Sequence, residues 1–452
     1  MHRRFPLVFL IFALGLRAQD KADAPGVLTQ VLQRLDALEK QNRELMLEVH
    51  ALRQELSASK APAQTAQPES PPAAATLDER VTVDEHRIEE QAQTKIEASQ
   101  KFPIQLNGML LFNAFTNSGD RNGHSLDYPF LAGPDRSGAT LRQTLLGLKF
   151  QGPRLPGDGH VNGSLLMDFW GGYSEPGLSW LRLREAEVSL DWANRSFSVG
   201  QQKPLISPYQ PSSLAEVSIS PLAGAGNLWL WLPQARYEER VHLGRNSGIR
   251  GQIALMQTDE TYANVPAEYS SSLDRARPAV EGRAAFWHSF DDVRRFELGA
   301  GFHAGTTHVA GNSVDSRIAS ADWLFVTGSR LAISGTFFHG QNVAGLGALG
   351  NAFTLSDYTN ARPVHSSGGW TQFAFTLTNR MTLNVFGGLQ DDRSQFLSPS
   401  SFARNFTYAA NLQYHLGPNV VVGLEGLQTR SRMQSGVNGI HNHYDLAIGY
   451  LF

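Results

Sequence analysis

Three stretches of this chain carry residue types that could do chemistry. "GLGALG" at 345–350 has the glycine spacing of a dinucleotide-binding turn. Such a turn needs a helix after it to receive the pyrophosphate, and an acidic residue roughly 20 positions on for the ribose hydroxyl. Neither follows here, and the stretch lies in a loop between strand-like runs. "HNH" places His441 and His443 at i and i+2, on one face of an extended segment, where two imidazoles could share a metal ion. No third ligand is evident, so both read as polar loop residues. The aspartate pairs at 291–292 and 391–392 read as turn and loop carboxylates, too alike in exposure to divide acid and base roles between them. The chain contains no cysteine, which excludes disulfides, thiolate zinc sites and cysteine nucleophiles. No nucleophile–base pair is visible. The expectation is a protein that is not an enzyme, with no cofactor, no catalytic residue and no metal. A formal net charge of −3 gives no argument for nucleic acid.

Many of the charges beyond residue 99 sit inside regularly alternating runs, and the runs show how they are held. From Phe102 onward the hydrophobic period is two. In "HVNGSLLMDFW", Val161, Gly163, Leu165, Met167 and Phe169 face one side while Asn162, Ser164 and Asp168 face the other. "NFTYAANLQYHLG" and "RRFELGAGFHAGTT" alternate in the same way. Short breaks such as "ANR" (193–195), "TNR" (378–380) and "GP" (417–418) divide the runs into sixteen expected strands. Among them are 139–151, 227–242 and 316–328. Long connections (118–138, 204–226, 258–277, 343–365) alternate with short ones. An even strand number, ~9–13 residues per strand and alternating loop lengths are the features of a transmembrane β-barrel. In lipid every backbone N–H and C=O needs a partner, and a closed sheet gives one to every strand.

The reading is therefore an all-β, 16-stranded antiparallel barrel over 101–452, with lipid as its outer partner. Its last strand ends on Tyr444, Leu446, Ile448, Tyr450 and Phe452 at alternate positions. An outward aromatic ending of this kind is expected to serve as an assembly signal, read by the barrel-assembly machinery.

At this point "FPIQLNGMLLFNAFTNSGD", "LRQTLLGLKFQGP" and "VSLDWANRSFSVGQQ" are similar to strand segments of the phosphate-selective porin O/P-like group. A coiled coil ahead of such a barrel resembles the dicarboxylate-type trimeric porins. The resemblance implies a trimeric outer-membrane channel whose third outer loop folds inward and narrows the pore. One departure matters: beyond residue 99 basic and acidic residues balance, and the only lysines are Lys101, Lys149 and Lys203. Anion selectivity does not carry over. The loop in question is "PLISPYQPSSLAEVSISPLAGAGN", stiffened by Pro204, Pro208, Pro211 and Pro221, with Lys203 at its base and Glu216 within it. Alternation turns Asp168, Glu187, Arg236, Glu238, Arg250, Glu281 and Arg283 inward, and with Lys203 and Glu216 these are the expected pore-lining residues. Arg182 and Arg184 fall on the lipid side unless a bulge reverses them. Mixed charges across a lumen order water and pass small polar solutes of either sign. The expected function is passive diffusion of such solutes. A structural envelope protein anchored by its barrel is the alternative.

Ahead of the barrel, a basic start (Arg3, Arg4), an apolar run to Leu16 and Ala18 give the shape of a signal peptide over 1–18. Residues 25–56 carry a heptad seam of Leu28, Val31, Leu35, Leu38, Asn42, Leu45, Val49, Leu52 and Leu56, expected as a periplasmic coiled coil. A lone Asn42 in the seam suits a dimer register, whereas the barrel favours a homotrimer. A Pro/Ala-rich linker (57–76) and a short connecting helix (77–98) complete the chain.

Overall fold

The computed structural model describes residues 104–118, 135–171, 179–260, 267–355, 361–393, 395 and 397–452. The expected signal peptide, coiled coil with its seam residues, linker and connecting helix lie outside the described residues.

The strands are β1 (Ile104–Ser118), β2 (Arg136–Thr140), β3 (Leu145–Leu155), β4 (Gly159–Gly171), β5 (Trp180–Asp191), β6 (Arg195–Gln202), β7 (Leu232–His242), β8 (Ser247–Gln257), β9 (Pro278–Ser289), β10 (Arg295–Val309), β11 (Asn312–Val326), β12 (Leu331–Gln341), β13 (Phe353–Leu355), β14 (Ala361–Pro363), β15 (His365–Thr378), β16 (Met381–Asp392), β17 (Phe402–His415), β18 (Val420–Met433) and β19 (Asn438–Leu451). β13 and β14 form a small separate hairpin. The others make one antiparallel sheet, in which β2 and β3 both pair with β1 and act as one interrupted stave. Sixteen staves result, as expected. β19 pairs with β1 from Met109↔Leu451 to Ser118↔Asn442, so the sheet closes on itself. The closure continues one residue further: Phe452 N–H donates to Gly108 O at 3.2 Å, and Gly108 N–H donates to Phe452 O at 2.9 Å. The Phe452 ring lies where a side chain at Gly108 would project.

Burial is inverted relative to a water-soluble domain. On β19, Tyr444, Leu446, Ile448 and Tyr450 are exposed, while His443, Asp445 and Ala447 between them are buried. The same holds around the barrel: Phe406 and Tyr408 are outside and Asn405 and Thr407 inside, Phe302 outside and His303 inside. Near the short turns the outward aromatics cluster. Phe296 lies 5.8 Å from Phe286, 5.9 Å from Phe290 and 6.1 Å from Phe325, ring centre to ring centre. Aromatic clusters of this kind sit at the bilayer interface of such barrels.

Four local departures from simple alternation place the interior. The expected strand 139–151 breaks at 141–144, where Thr144 N–H returns to Leu141 O at 3.0 Å. The Thr144 hydroxyl replaces the lost rung by accepting from Leu111 N–H at 3.1 Å, and Gln143 swings into the barrel, fully buried. On β5 the register jumps from Leu166↔Glu185 to Met167↔Leu183, leaving Arg184 as a bulged residue. The bulge restores Arg182 to the inner face, opposite Asp168. The expected strand 227–242 begins only at Leu232, because 227–231 are buried with the preceding segment. β11 starts at Asn312 rather than 316, because Ala310 and Gly311, at φ 48° and 75°, make a two-residue hairpin turn.

Candidate functional site

Between Gln202 and Leu232 the chain does not run outside the barrel. Residues 203–231 are mostly buried, and their polar groups meet inward side chains on widely separated strands. Leu205 N–H donates to Glu281 Oε2 on β9 at 2.6 Å. Ser212 N–H donates to Gln372 Oε1 on β15 at 2.6 Å, and Asn411 Nδ2 on β17 reaches Ser212 O at 2.8 Å. Ser213 Oγ donates to Glu425 Oε2 on β18 at 2.7 Å. Asn113 Nδ2 on β1 donates to Leu214 O at 2.8 Å. Gln143 grips the segment with both ends: Nε2 donates to Ala215 O at 2.5 Å, and Oε1 accepts from Val217 N–H at 2.7 Å and Ser218 N–H at 3.1 Å. Arg182 donates to Ser218 O, and Asn405 Nδ2 to Gly224 O at 3.2 Å. A buried segment without a sheet of its own must find such partners for its backbone, and wall amides supply them.

Apolar contacts set the segment between these bonds. Leu222 and Ala225 pack on Trp370, Phe386, Ala409 and Leu427, all inward-facing. Leu214 and Val217 pack on Met109, Leu111, Val421 and Ala447. The tightest approach is at Pro221–Asn227. There Leu222, Gly224 and Gly226 all have positive φ (63°, 69°, 99°), and the backbone presses on wall glycines. A side chain at Gly388 would strike Ala225 O, and one at Gly226 would strike Gly369 O. Leu228–Leu232 then join a second buried segment around Val343, Leu346 and Ala348. This is the "GLGALG" stretch. It carries a 3-10 turn, Ala344–Leu346, and packs against Trp229 and Leu230.

The inward charges form three groups. In the first, Asp168 Oδ2 accepts from Arg182 Nη2 at 2.6 Å, with Arg184 Nη1 at 3.8 Å. Arg184 stacks over Trp231 at 4.5 Å, and Arg142 over Trp170 at 4.6 Å. In the second, Arg283 bridges Asp322 and Glu297 at 2.6 and 2.7 Å. Arg250 extends the chain to Glu297 at 3.4 Å and Glu238 at 3.8 Å, and Arg240 to Glu238 at 2.6 Å. Tyr209 of the buried segment lies beside this group; burial and then the Glu297 charge push its phenol well above the usual range. In the third, Glu281 Oε1 meets His303 Nδ1 at 3.0 Å, and Arg236 donates to Lys203 O. Burial lowers the Lys203 ammonium, partly opposed by the Glu185 charge.

Of the residues singled out in the sequence, Asp168, Glu216, Glu281 and Arg283 are buried, and Glu187, Lys203, Arg236, Glu238 and Arg250 half-buried. All but Glu187 and Glu216 are distributed among the three groups, and they are not joined in one ring. Glu187 and Arg236, on the strands either side of β6, attract each other. Glu216 stays on the buried segment, its N–H bonded to Ser213 Oγ at 3.0 Å. Alternation places Glu297, His303 and Asn411 on the polar face of their runs without marking them as pore-lining, and it did not single out Asp322 or the amides Asn113, Gln143 and Gln372. For the amides the signal that could have found them is a polar inward position able to serve the serine-rich "PSSLAEVSIS". Two expectations are corrected. His441 and His443 are not loop residues: β19 begins at Asn438, and both are buried on its inner face, bonded to Ser118 O at 2.8 Å and Asn117 Oδ1 at 2.5 Å. Asp391 and Asp392 are not alike. Both end β16, but Asp391 is exposed while Asp392 is fully buried and bonded to Asn351 at 2.7 Å and Gln390 at 3.0 Å.

The barrel superposes with a TM-score of 0.62 on the outer membrane channel DcaP of Acinetobacter baumannii, at 18% identity over 78% of this chain and 97% of that one. The fold is that of an outer-membrane porin. An anion-selective porin from Comamonas acidovorans matches the barrel with a TM-score of 0.54, at 12% identity over 78% of this chain and 100% of that one. At these identities the likeness establishes the fold. No family model and no curated protein matches the chain.

Arg283 of the porin-fold wall is buried between two carboxylates. Arg283→Met removes the cation that pairs with Asp322 and leaves Glu297 with Arg250 alone, at 3.4 Å. Breaking a buried pair in this way costs about 3–5 kcal/mol. Urea unfolding of the refolded variant is expected to show a markedly lower midpoint, with Asp322→Asn in the same chain recovering part of the loss.

Proposed function

We propose that the chain is a porin of the bacterial outer membrane, passing small polar solutes by passive diffusion through a water-filled channel. The observation that carries this reading is the closed barrel whose outward face is apolar and exposed while its inward face is polar and charged. A solved protein of this fold is, by its own description, an outer membrane channel. Segment 204–226 is the third outer connection, the one after the fifth expected strand, and in this reading it narrows the passage. Its hydrogen bonds to the inward face support that role. Asp168, Glu187, Lys203, Glu216, Arg236, Glu238, Arg250, Glu281 and Arg283 line the passage, with arginines and carboxylates mixed across it.

The exposed row Tyr444, Leu446, Ile448, Tyr450 and Phe452 faces lipid and is the signal by which the assembly machinery recognises the strand. Phe452→Ser is expected to cut the amount of protein in the outer membrane severalfold, scored by membrane fractionation. Normal levels would sink the signal reading.

Three such barrels associate, clamped on the periplasmic side by coiled coils over 25–56. The detergent-solubilised full-length protein is expected to give a trimer mass by light scattering, and a monomer or dimer mass rules the trimer out. Replacing 204–226 by a short turn is expected to raise single-channel conductance in planar bilayers. An unchanged conductance from a folded variant would put the segment outside the passage, and no conductance from the native protein would reject the porin reading itself.

A further inference from the structure

The inward arginines of the charged groups are closed by carboxylates. Arg182 meets Asp168 at 2.6 Å, and Arg283 meets Asp322 and Glu297 at 2.6 and 2.7 Å. Lys149 on β3 is different. It is exposed, and it makes no hydrogen bond or ion pair among the described residues. Register fixes its place. Lys149 pairs with Gln105 of β1 on one side and with Ser164 of β4 on the other, and Ser164 pairs in turn with Glu187 of β5. Directly paired residues of adjacent strands share a face. Ser164 shares its face with buried Asp168, four residues on. Gln105, Lys149, Ser164 and Glu187 are therefore one row on the lumen wall, toward the short-turn end of β3–β5. A second inward row, Gln151, Asn162 and Ser189, lies beside it.

The two rows line a hollow of about 240 Å³. β4 supplies its floor through Ser164 and Asn162, and the strands either side supply opposite charges, Lys149 from β3 and Glu187 from β5. Those strands stand two spacings of ~4.8 Å apart, or about 10 Å, and the ammonium and carboxylate form no salt bridge with each other. Glu187 is instead bonded to Ser198 and attracted by Arg236, on its far side from Lys149. The floor is held in place by Asp191, whose Oδ2 accepts from Asn162 Nδ2 at 2.8 Å and from Ser189 Oγ at 2.5 Å. A solute of one sign is drawn to one side of this hollow and repelled by the other. A solute carrying a carboxylate and an ammonium a few bonds apart satisfies both sides at once, with the Gln105 and Gln151 amides at hand for its other polar atoms. Both charges reach water, so each contact is weak. Passage requires weak holding, because a channel site must release what it takes up.

We propose that this hollow is a transit site for zwitterionic solutes of α-amino-acid size, with the carboxylate on Lys149 and the ammonium on Glu187. The proposal rests on the channel reading and names the solute class the channel favours. The probes are radiolabelled alanine, N-acetylalanine (carboxylate only), alaninamide (ammonium only) and glycerol. Uptake of each into lipid vesicles bearing the full-length protein is expressed relative to glycerol in the same preparation. The native protein is expected to favour alanine over both charged analogues. Lys149→Gln is expected to lower the alanine ratio about threefold. It lowers N-acetylalanine as well and raises alaninamide. Glu187→Gln is expected to lower alanine similarly and to move the two analogues in the opposite directions. Lys149→Arg, which keeps the charge, is expected to keep most of the native ratio. Lys149 has no partner to lose, so its variants fold, and glycerol uptake shows that each channel is open. Exclusion of glycerol by the native protein would reject the channel reading and the site with it. Passage of glycerol with either analogue favoured as strongly as alanine, or with the alanine ratio unmoved by either Gln substitution, would overturn the site alone.

Discussion

A sheet placed in lipid cannot leave an edge, because each unpaired N–H or C=O there costs several kcal/mol. The pairing of β1 with β19, finished by the reciprocal bonds between Gly108 and Phe452, is therefore what the rest of the molecule depends on. It also decides side-chain distribution. Once the sheet is closed, alternate residues have only two destinations, and the exposed apolar and buried polar rows of β17 and β19 follow from the pleat.

Closure creates a second problem, since sixteen strands enclose more space than wall side chains fill. Here part of that space is taken by chain, 203–231 and the stretch around 343–352. Chain inside a barrel brings backbone polar groups that need partners. The wall meets them with amides and carboxylates at particular inward positions, Gln143, Gln372, Asn411 and Glu425. It meets the apolar side chains with inward hydrophobes such as Phe338, Trp370 and Phe386. The interior is thus a mosaic: apolar patches and polar or charged partners alternate where a segment docks, and arginine–carboxylate groups are interleaved with them.

That mosaic explains what could be read from the sequence. Strand number, the long/short order of connections and most strand ends were legible, because lipid imposes a simple rule on the outer face. The turn-side ends of β4 and β8 need no more than that rule. The interior obeys no such rule. Trp370 and Phe386 look like lipid-facing residues until the segment over them is known. Arg182 and Arg184 could not be placed because a single bulged residue reverses parity, and nothing local announces it. Gln143 lies in what reads as an unbroken strand. His441 and His443 look like loop residues because their side chains are polar, yet polar is what an inward strand position requires here. In each case the missing information is non-local: it is what lies across the lumen.

The docking of the buried segment argues for a fixed element rather than a moving gate. A hinge absorbs large changes of φ and ψ at its ends while the body between keeps few strong contacts. Segment 203–231 has the opposite character. Its contacts are spread along its length over β1, β5, β9, β15, β17 and β18, and its most constrained backbone, Leu222–Gly226, is pressed against glycine positions of the wall. Moving one part would break bonds on a different strand from moving the next, so the segment can leave the wall only by giving up most of them together. In the diffusion channel proposed above, that rigidity would hold the width constant, and selectivity would reside in the static placement of Arg283, Asp168 and their partners.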